Sequence, residues 1–335
     1  MDSLTQIALG AAVGEAAGGR RFGRRAMLWG ALCGTFPDLD TFIPLGDAVK
    51  DFTYHRAASH SLFVLAALTP LFVWLITRLH PGTRDHGGRW ALLVYLVFAT
   101  HVLLDSFTVY GTQIFWPLWT TPMTWSTIFI IDPLYTLPLL IGVIAALAAG
   151  RGRTWGRAAN TVGLALSTTY LAWTLGAKLH VEQVAHRALA EQDIAASSVL
   201  TTPAPFNTIL WRVLAVDEKQ YFEGFYSLLD DTAEVRFTPR PRNLELIYRE
   251  PLWSSWPVRR LRWFTKDFYA VETHGEGIAM TDLRMGVDPD YVFSFQVGRL
   301  ANPHPEPAPV ERMPAERNWS RLPEIWARIW ARPSP

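Results

Sequence analysis

The sequence predicts a membrane α-helical bundle of about six apolar helices, some of them short, followed by a soluble, mainly antiparallel β domain. Charge distribution is the first reason, because residues 61–180 contain only three acidic side chains, Asp85, Asp105 and Asp132. Charged residues and proline become frequent after residue 180. We therefore expect a membrane-embedded domain at residues 1–180 and a soluble α+β domain with a proline-rich C-terminal tail at residues 181–335.

Six apolar segments carry the helix prediction. The first two are shorter than the roughly 20 residues that normally cross a bilayer, so a tilted or partly inserted hairpin is expected there. Asp132 is expected to cap the fifth segment, with Pro133 at its first helical position. The six segments are residues 4–17, 26–36, 61–77, 90–104, 133–150 and 158–179.

Arginine-rich loops follow the first, third and fifth segments and so fall on one side of the membrane. By the positive-inside rule that side is cytoplasmic, and Trp116 and Trp125 fall on the opposite side, where an aromatic belt is expected. The sequence thus predicts a multi-pass membrane protein with its C-terminal domain on the periplasmic or extracellular side. The loop arginines are Arg20, Arg21, Arg24 and Arg25, then Arg78, Arg84 and Arg89, then Arg151, Arg153 and Arg157.

The second domain begins with a predicted polar helix at residues 181–195. Beyond it, short runs rich in aromatic and β-branched residues predict strands. Residues 302–314 are proline-rich and expected to be extended, and residues 319–330 are expected to form a short amphipathic helix. The predicted strands are residues 209–216, 221–228, 234–238, 244–248, 262–271 and 291–297.

Two totals exclude other classes of protein. A formal net charge of +1 gives no reason to expect a nucleic-acid partner. The single cysteine, Cys33, excludes an internal disulfide and a cysteine-based zinc cluster.

A histidine and an aspartate lie one helical turn apart at the end of the fourth segment. His101 and Asp105 would share one face of the helix, a spacing that lets two ligands reach one metal ion. A carboxylate near a helix C-terminus is unfavourable against the helix dipole, so it requires a compensating cation. The alternative is a helix-end histidine with an unrelated aspartate.

A second histidine pair precedes the third segment. His55 and His60 are five residues apart and would stand about 140° apart on a regular helix, so one helix cannot present both to one ion. We expect His55 in a loop, Ser59 as the helix cap and His60 in the first helical turn. Arg56 would then lie near a helix N-terminus, where it suits a bidentate contact with phosphate; contact with lipid headgroups is the alternative.

A double aspartate follows Pro37. A capping turn explains one of Asp38 and Asp40, but two carboxylates beside a histidine cluster favour metal binding. The set predicts a site for a divalent metal, zinc before manganese or magnesium. We assign Asp38 and Arg56 as catalytic residues, and as metal ligands Asp40, His55, His60, His101 and Asp105.

Together these motifs resemble the YdjM-like family of bacterial inner-membrane metal-dependent hydrolases. The resemblance covers residues 1–180 and rests on Pro37-Asp38-Leu39-Asp40, His55-Arg56-x-x-Ser59-His60-Ser61, His101-x-x-x-Asp105, Tyr110-Gly111 and Phe115-Trp116-Pro117. It implies distant similarity to zinc-dependent phospholipase C and zinc-dependent single-strand nucleases, which hydrolyse phosphodiesters with clustered zinc ions. Many relatives carry a histidine in the first helix, where this chain has Thr5 and Gln6. That departure favours one or two ions over three.

These observations predict a metal-dependent hydrolase, specifically a phosphoesterase acting on a membrane lipid or lipid-linked substrate at the outer face of the inner membrane. One alternative is a non-catalytic membrane protein with a structural metal site, whose soluble domain (residues 181–335) binds an envelope protein. A transporter is the other, and it is disfavoured because the polar residues gather at one face of the membrane.

Overall fold

The chain forms two compact units. The computed structural model describes residues 1–150, 153–315 and 319–331, so Arg151 of the third basic loop and parts of the proline-rich tail lie outside the described residues. We name the two units by their main content. The helical unit contains residues 1–43, 55–175 and 205–207, and the β unit contains residues 44–54, 176–204 and those from 208 onward.

Seven α-helices precede the first strand among the described residues. Asp132 accepts hydrogen bonds from the backbone amides of Leu134 and Tyr135, which confirms the predicted cap. The helix predicted at 158–179 continues into the polar helix predicted at 181–195, as expected, because no helix-breaking residue separates them. The bounds are α1 Ser3–Phe22, α2 Arg24–Thr35, α3 Ala48–Tyr54, α4 Leu62–Leu79, α5 Gly87–Ser106, α6 Pro133–Ala149 and α7 Thr154–Glu191.

Two helical segments of the described chain are long and apolar enough to cross a membrane, Leu62–Leu79 and Pro81–Ser106. The predicted number of about six was therefore wrong. Helix α6 is apolar but has only 17 residues. Helix α2 has 12 residues, and α1 buries much of its length, including Gln6 and Glu15. Apolar composition in this unit thus reflects helix-to-helix packing as well as contact with lipid.

Helices α1 and α2 approach each other at the level of their backbones. A Cβ atom built on Gly10 would lie 2.3 Å from the carbonyl oxygen of Gly30, and one built on Gly14 would lie 2.3 Å from that of Ala26. Small residues permit this close approach, as they do between membrane helices. The contact fixes α1, which carries Gln6 toward the polar cluster described below.

Replacing Gly10 with alanine should therefore separate these helices. We expect Gly10→Ala to lower the free energy of unfolding by about 1–3 kcal/mol through overpacking, measured by thermal unfolding in detergent micelles. The matched control is Gly88→Ala in α5, where an added Cβ meets no heavy atom within 4 Å. Equal effects of the two substitutions would contradict the close-packing account.

In the described residues, the β unit contains two four-stranded antiparallel sheets, and in each sheet the strands follow one another in chain order. Strands predicted at 209–216, 221–228 and 291–297 are confirmed. The bounds are β1 Ser198–Pro203, β2 Leu210–Val216, β3 Gln220–Ser227, β4 Thr238–Pro241, β5 Tyr269–His274, β6 Gly277–Val287, β7 Asp290–Arg299 and β8 Glu306–Arg312.

Three strand predictions were wrong or displaced. Residues 244–246 form a 3-10 turn, and β4 begins only at Thr238. Where a strand was predicted at 262–271, helix α8 (Trp256–Thr265) comes first and β5 follows. Val258, Leu261 and Phe264 are buried at a spacing of three, which is a helical period. At the C-terminal end, helix α9 (Leu322–Ala327) is shorter than predicted.

Helix α3 belongs to the β unit although it lies between two motifs of the helical unit. The ring of Phe52 is 4.8 Å from that of Phe264, 4.5 Å from Phe293 and 5.1 Å from Phe295. Arg260 donates to the hydroxyl of Thr53 at 2.9 Å. The segment 44–54 is thus a packed part of the β unit.

Removing the Phe52 ring should leave a cavity among three other aromatic rings. We expect Phe52→Ala to lower the free energy of unfolding of the β unit by about 3–5 kcal/mol, measured by chemical denaturation followed by tryptophan fluorescence. Lys50→Ala on the same helix is the control, because the Lys50 side chain is 42% exposed whereas Phe52 is buried. A stability change below that of the control would show that α3 does not pack as described.

Candidate metal centre

Four side chains of the helical unit place one nitrogen or oxygen atom each within 4.8 Å of all the others: Asp38, His60, His101 and Asp105. Nε2 of His60 lies 3.1 Å from Oδ2 of Asp105 and 3.4 Å from Oδ1 of Asp38. Nε2 of His101 lies 3.6 Å from Asp38 and 3.7 Å from Asp105. We call this group the four-residue cluster.

The hydrogen bonds behind the two imidazoles fix their orientation. Nδ1 of His101 is 2.7 Å from the carbonyl oxygen of Gly34, which can only accept, so Nδ1 carries the proton. Ser59 donates its hydroxyl proton to Asp40 and lies 2.9 Å from Nδ1 of His60, so it accepts from that nitrogen. Both Nε2 atoms therefore direct lone pairs into the cluster, and they are 3.2 Å apart.

Two facing lone pairs beside two carboxylates require a cation between them. A tetrahedral ion with bonds of about 2.0–2.2 Å to nitrogen and oxygen has ligand atoms about 3.3–3.6 Å apart. The five distances given above, from 3.1 to 3.7 Å, bracket that range. The two aspartates and two histidines could therefore hold one metal ion.

Local structure explains how separate stretches of sequence supply these atoms. Asp38 and Asp40 lie on the 3-10 helix Phe36–Phe42, and His101 and Asp105 lie on the last turns of α5, one turn apart as predicted. His60 ends the 3-10 turn Ala58–His60. The predicted cap was wrong, because Ser61 rather than Ser59 caps α4 and His60 precedes the helix. Ser59 is instead free to link Asp40 to His60.

Asp40 and His55 form a pair beside the cluster. Oδ1 of Asp40 is 2.7 Å from Nδ1 of His55, and its Oδ2 accepts from the Arg56 amide at 3.2 Å and from Ser59 at 2.5 Å. Burial raises the pKa of Asp40, but the contacts with His55 and Ser59 outweigh it and lower the pKa overall. Burial lowers the pKa of His55. Both residues were predicted as metal ligands. They lie beside the four-residue cluster and are linked to His60 through Ser59.

Arg56, which the sequence predicts as a catalytic residue together with Asp38, lies against the four-residue cluster. Its Nε is 3.1 Å from Oδ2 of Asp105, and its Nη1 donates to the Thr108 hydroxyl at 3.1 Å. The guanidinium also lies 5.1 Å from the ring centre of Tyr110. The side chain is buried, so its charge acts at short range on Asp105 and on whatever the cluster binds.

Gln6 was noted in the sequence only as a departure from the family pattern. In the structure its Nε2 donates to Oδ1 of Asp105 at 3.0 Å, and its Oε1 is buried. The amino group of Met1 contacts the same carboxylate oxygen. The family pattern did signal the position of Gln6, whereas no sequence feature indicated the carbonyl of Gly34.

The electrostatics of Asp38 and His60 favour bound positive charge. Burial raises the pKa of Asp38, but hydrogen bonds with His101 and His60 outweigh it and bring the pKa well below its usual range. Burial lowers the pKa of His60, yet Asp105 and Asp38 outweigh that effect and raise it. The carboxylates therefore stabilise a cation at this position, whether a proton or a metal ion.

A family model described as YdjM inner membrane protein matches residues 1–181 of the chain. The chain belongs to the YdjM family. No curated protein and no solved structure matches it significantly, so the similarity to zinc-dependent phospholipases C and nucleases is not shown. YdjM membership, two candidate membrane spans and the four-residue cluster together fit a membrane metalloprotein of the inner membrane.

Proposed function

We propose that this YdjM-family protein is a metal-dependent hydrolase of phosphoesters. The observation that carries the proposal is the pair of Nε2 atoms, 3.2 Å apart, facing the carboxylates of Asp38 and Asp105. Asp38, His60, His101 and Asp105 would hold the ion. This proposal revises the sequence-based choice of Asp38 as a catalytic group and of Asp40 and His55 as ligands. A divalent cation held there supplies Lewis acidity for hydrolysis of a phosphoester.

The Asp40–His55 pair provides a base beside that centre. Asp40 accepts from Nδ1 of His55, which leaves Nε2 of the imidazole able to take a proton from an attacking water. Its ring centre is 5.8 Å from that of His60, and the side chain is 17% exposed, so solvent reaches it. Asp40 would orient His55 and, through Ser59, also His60.

Arg56 would stabilise negative charge as it develops on the phosphoryl group. The guanidinium is held by Asp105 and Thr108, so it needs no reorganisation during the reaction.

The place of the centre along the membrane helices supports a lipid or lipid-linked substrate. His60 precedes α4 by two residues, and Asp105 is next to last in α5. Both helices are candidate spans, so the cluster lies where their hydrocarbon-crossing stretches end. The opposite ends carry Arg78, Arg84 and Arg89, and by the positive-inside rule these arginines support a periplasmic position for the centre.

Substitution of His55 tests this division of roles. We expect His55→Gln to lower the turnover of bis-p-nitrophenyl phosphate by about 10²–10³-fold with metal content unchanged, because a general base is lost and the ligands remain. His304→Gln, at an exposed position in the β unit, is the control. Loss of the metal in His55→Gln would make His55 a ligand, as the sequence predicted. If the metal-loaded wild-type protein showed no turnover, the proposed phosphoester hydrolase activity would be excluded.

Burial favours a second candidate function, because His60, His101 and Asp105 are all inaccessible to solvent. A closed, structural metal site has this property, and the β unit would then bind an envelope protein. Metal that stabilises the fold while the wild-type protein hydrolyses no phosphoester would favour this alternative.

A further inference from the structure

Two turns of the helical unit carry exposed apolar side chains near the four-residue cluster. The first is the 3-10 helix Phe36–Phe42, which also supplies Asp38 and Asp40. Phe42 is 81% exposed and Leu39 is 46% exposed. A 3-10 helix has three residues per turn, so Leu39 and Phe42 form one apolar ridge on this helix.

The second is the turn that follows Ile114. Leu118 is 80% exposed and Trp119 is 61% exposed. The backbone amides of Leu118 and Trp119 both donate to the carbonyl of Phe115, which keeps the turn compact. Side chains of this size are rarely left in water at such exposure on two neighbouring turns without a binding role.

Both turns are fastened to the stretch that leads into α4. The first is held through Asp40, which accepts from Arg56 and Ser59. The second is held by Ser61, whose hydroxyl donates to the carbonyl of Trp116 at 2.5 Å, and by Leu62, whose amide donates to Ile114 at 2.9 Å. The turns therefore cannot move independently of the start of α4.

The start of α4 defines a depth in the membrane. Helix α4 has 18 residues, about 27 Å at 1.5 Å per residue, which is close to the thickness of the hydrocarbon core. Its first residue, Leu62, is bonded to the second turn, so both turns lie at the boundary between hydrocarbon and headgroups. Helix α4 also has exposed apolar side chains, such as Phe63 and Trp74, which would contact lipid. The two turns adjoin the start of this helix, so lipid is the partner that we expect for them as well.

We propose that Leu39, Phe42, Leu118 and Trp119 form a surface that inserts into the adjoining lipid leaflet and delivers a lipid phosphoester to the centre from the side. The acyl chains would contact the ridge while the phosphate reaches the cluster, because Asp38 and Asp40 lie on the same short helix as Leu39 and Phe42. Lipid insertion stands on the geometry alone, and delivery of substrate rests on the proposed function.

Insertion is measured without any assay of activity. Cys33 is the single cysteine and is buried, so a fluorophore can be attached at Phe42→Cys alone. In vesicles of phosphatidylethanolamine and phosphatidylglycerol containing spin-labelled lipid, we expect quenching at position 42 strongest with the label near the headgroup. Trp74→Cys, on the exposed face of α4, is the lipid control, and His304→Cys, at an exposed position of the β unit, is the aqueous control. Quenching at position 42 by iodide in water as strong as at position 304 would overturn insertion. Protection of position 42 from both quenchers would also overturn it, because it would indicate a covering protein.

Delivery is measured with the double substitution Phe42→Ser and Leu118→Ser. We expect kcat/KM for phosphatidylglycerol in vesicles to fall at least about 10-fold, with hydrolysis of soluble bis-p-nitrophenyl phosphate unchanged. An equal fall on both substrates, or no fall on the lipid, would overturn delivery. If the wild-type protein hydrolyses neither substrate, the proposed function fails, and the quenching measurement still decides whether the surface inserts.

Discussion

His101→Ala is expected to release the metal ion. His101 supplies one of the four ligand atoms, and its hydrogen bond to the Gly34 carbonyl fixes the ring so that Nε2 faces the cluster. Loss of an outer-shell partner alone costs about 10–100-fold in metal affinity, so loss of a ligand should cost at least about 100-fold. Competition with a chelator and elemental analysis of the detergent-purified protein measure this, and phosphoester turnover should be lost with the ion.

His86→Ala provides a matched control for that experiment. His86 lies in the turn between α4 and α5, contacts Arg21 of α1 and takes no part in the cluster. If His101→Ala retained the metal content of the wild-type protein, the four-residue cluster would not be a metal site. The four side chains would then form a hydrogen-bonded polar network, and the binding-protein alternative would gain support.

Asp105→Ala should affect both metal binding and folding. Asp105 is fully buried and contacts Arg56, Gln6, His60 and the Met1 amino group. Its removal leaves the guanidinium of Arg56 buried without its partner, a loss of about 3–5 kcal/mol in the free energy of unfolding. Chemical unfolding in detergent, with metal removed from both proteins, measures this effect separately from metal binding.

The exposed Asp85→Ala substitution is the control for loss of a carboxylate. The double substitution of Asp105→Ala with Arg56→Met should recover part of the lost stability, because it removes the unpaired charge as well. Additive losses in the double variant would show that the two residues do not interact, contrary to the 3.1 Å separation of their side chains.

The fold illustrates what local sequence can and cannot indicate. The Asp132–Pro133 start of α6 was predicted because the cap and the first helical residue are neighbours in the chain. The number of membrane spans was overestimated, since an apolar helix packed on other helices has the same composition as one in lipid. Helix α8 was missed because its aromatic residues favour strands, and burial of one helical face outweighed that preference.

The centre shows the same division between local and tertiary information. The sequence by itself determined that His101 and Asp105 act from one face, because a spacing of four residues on a helix fixes their direction. It also indicated that one regular helix cannot present both His55 and His60 to one ion. Only the tertiary structure decided that Asp38 joins the cluster while Asp40 binds His55 and Ser59, since both aspartates lie on one 3-10 helix whose rotation depends on what packs against it. The tertiary structure likewise placed Gln6 on Asp105, because the two residues are 99 positions apart and meet only through the packing of α1 in the helical unit.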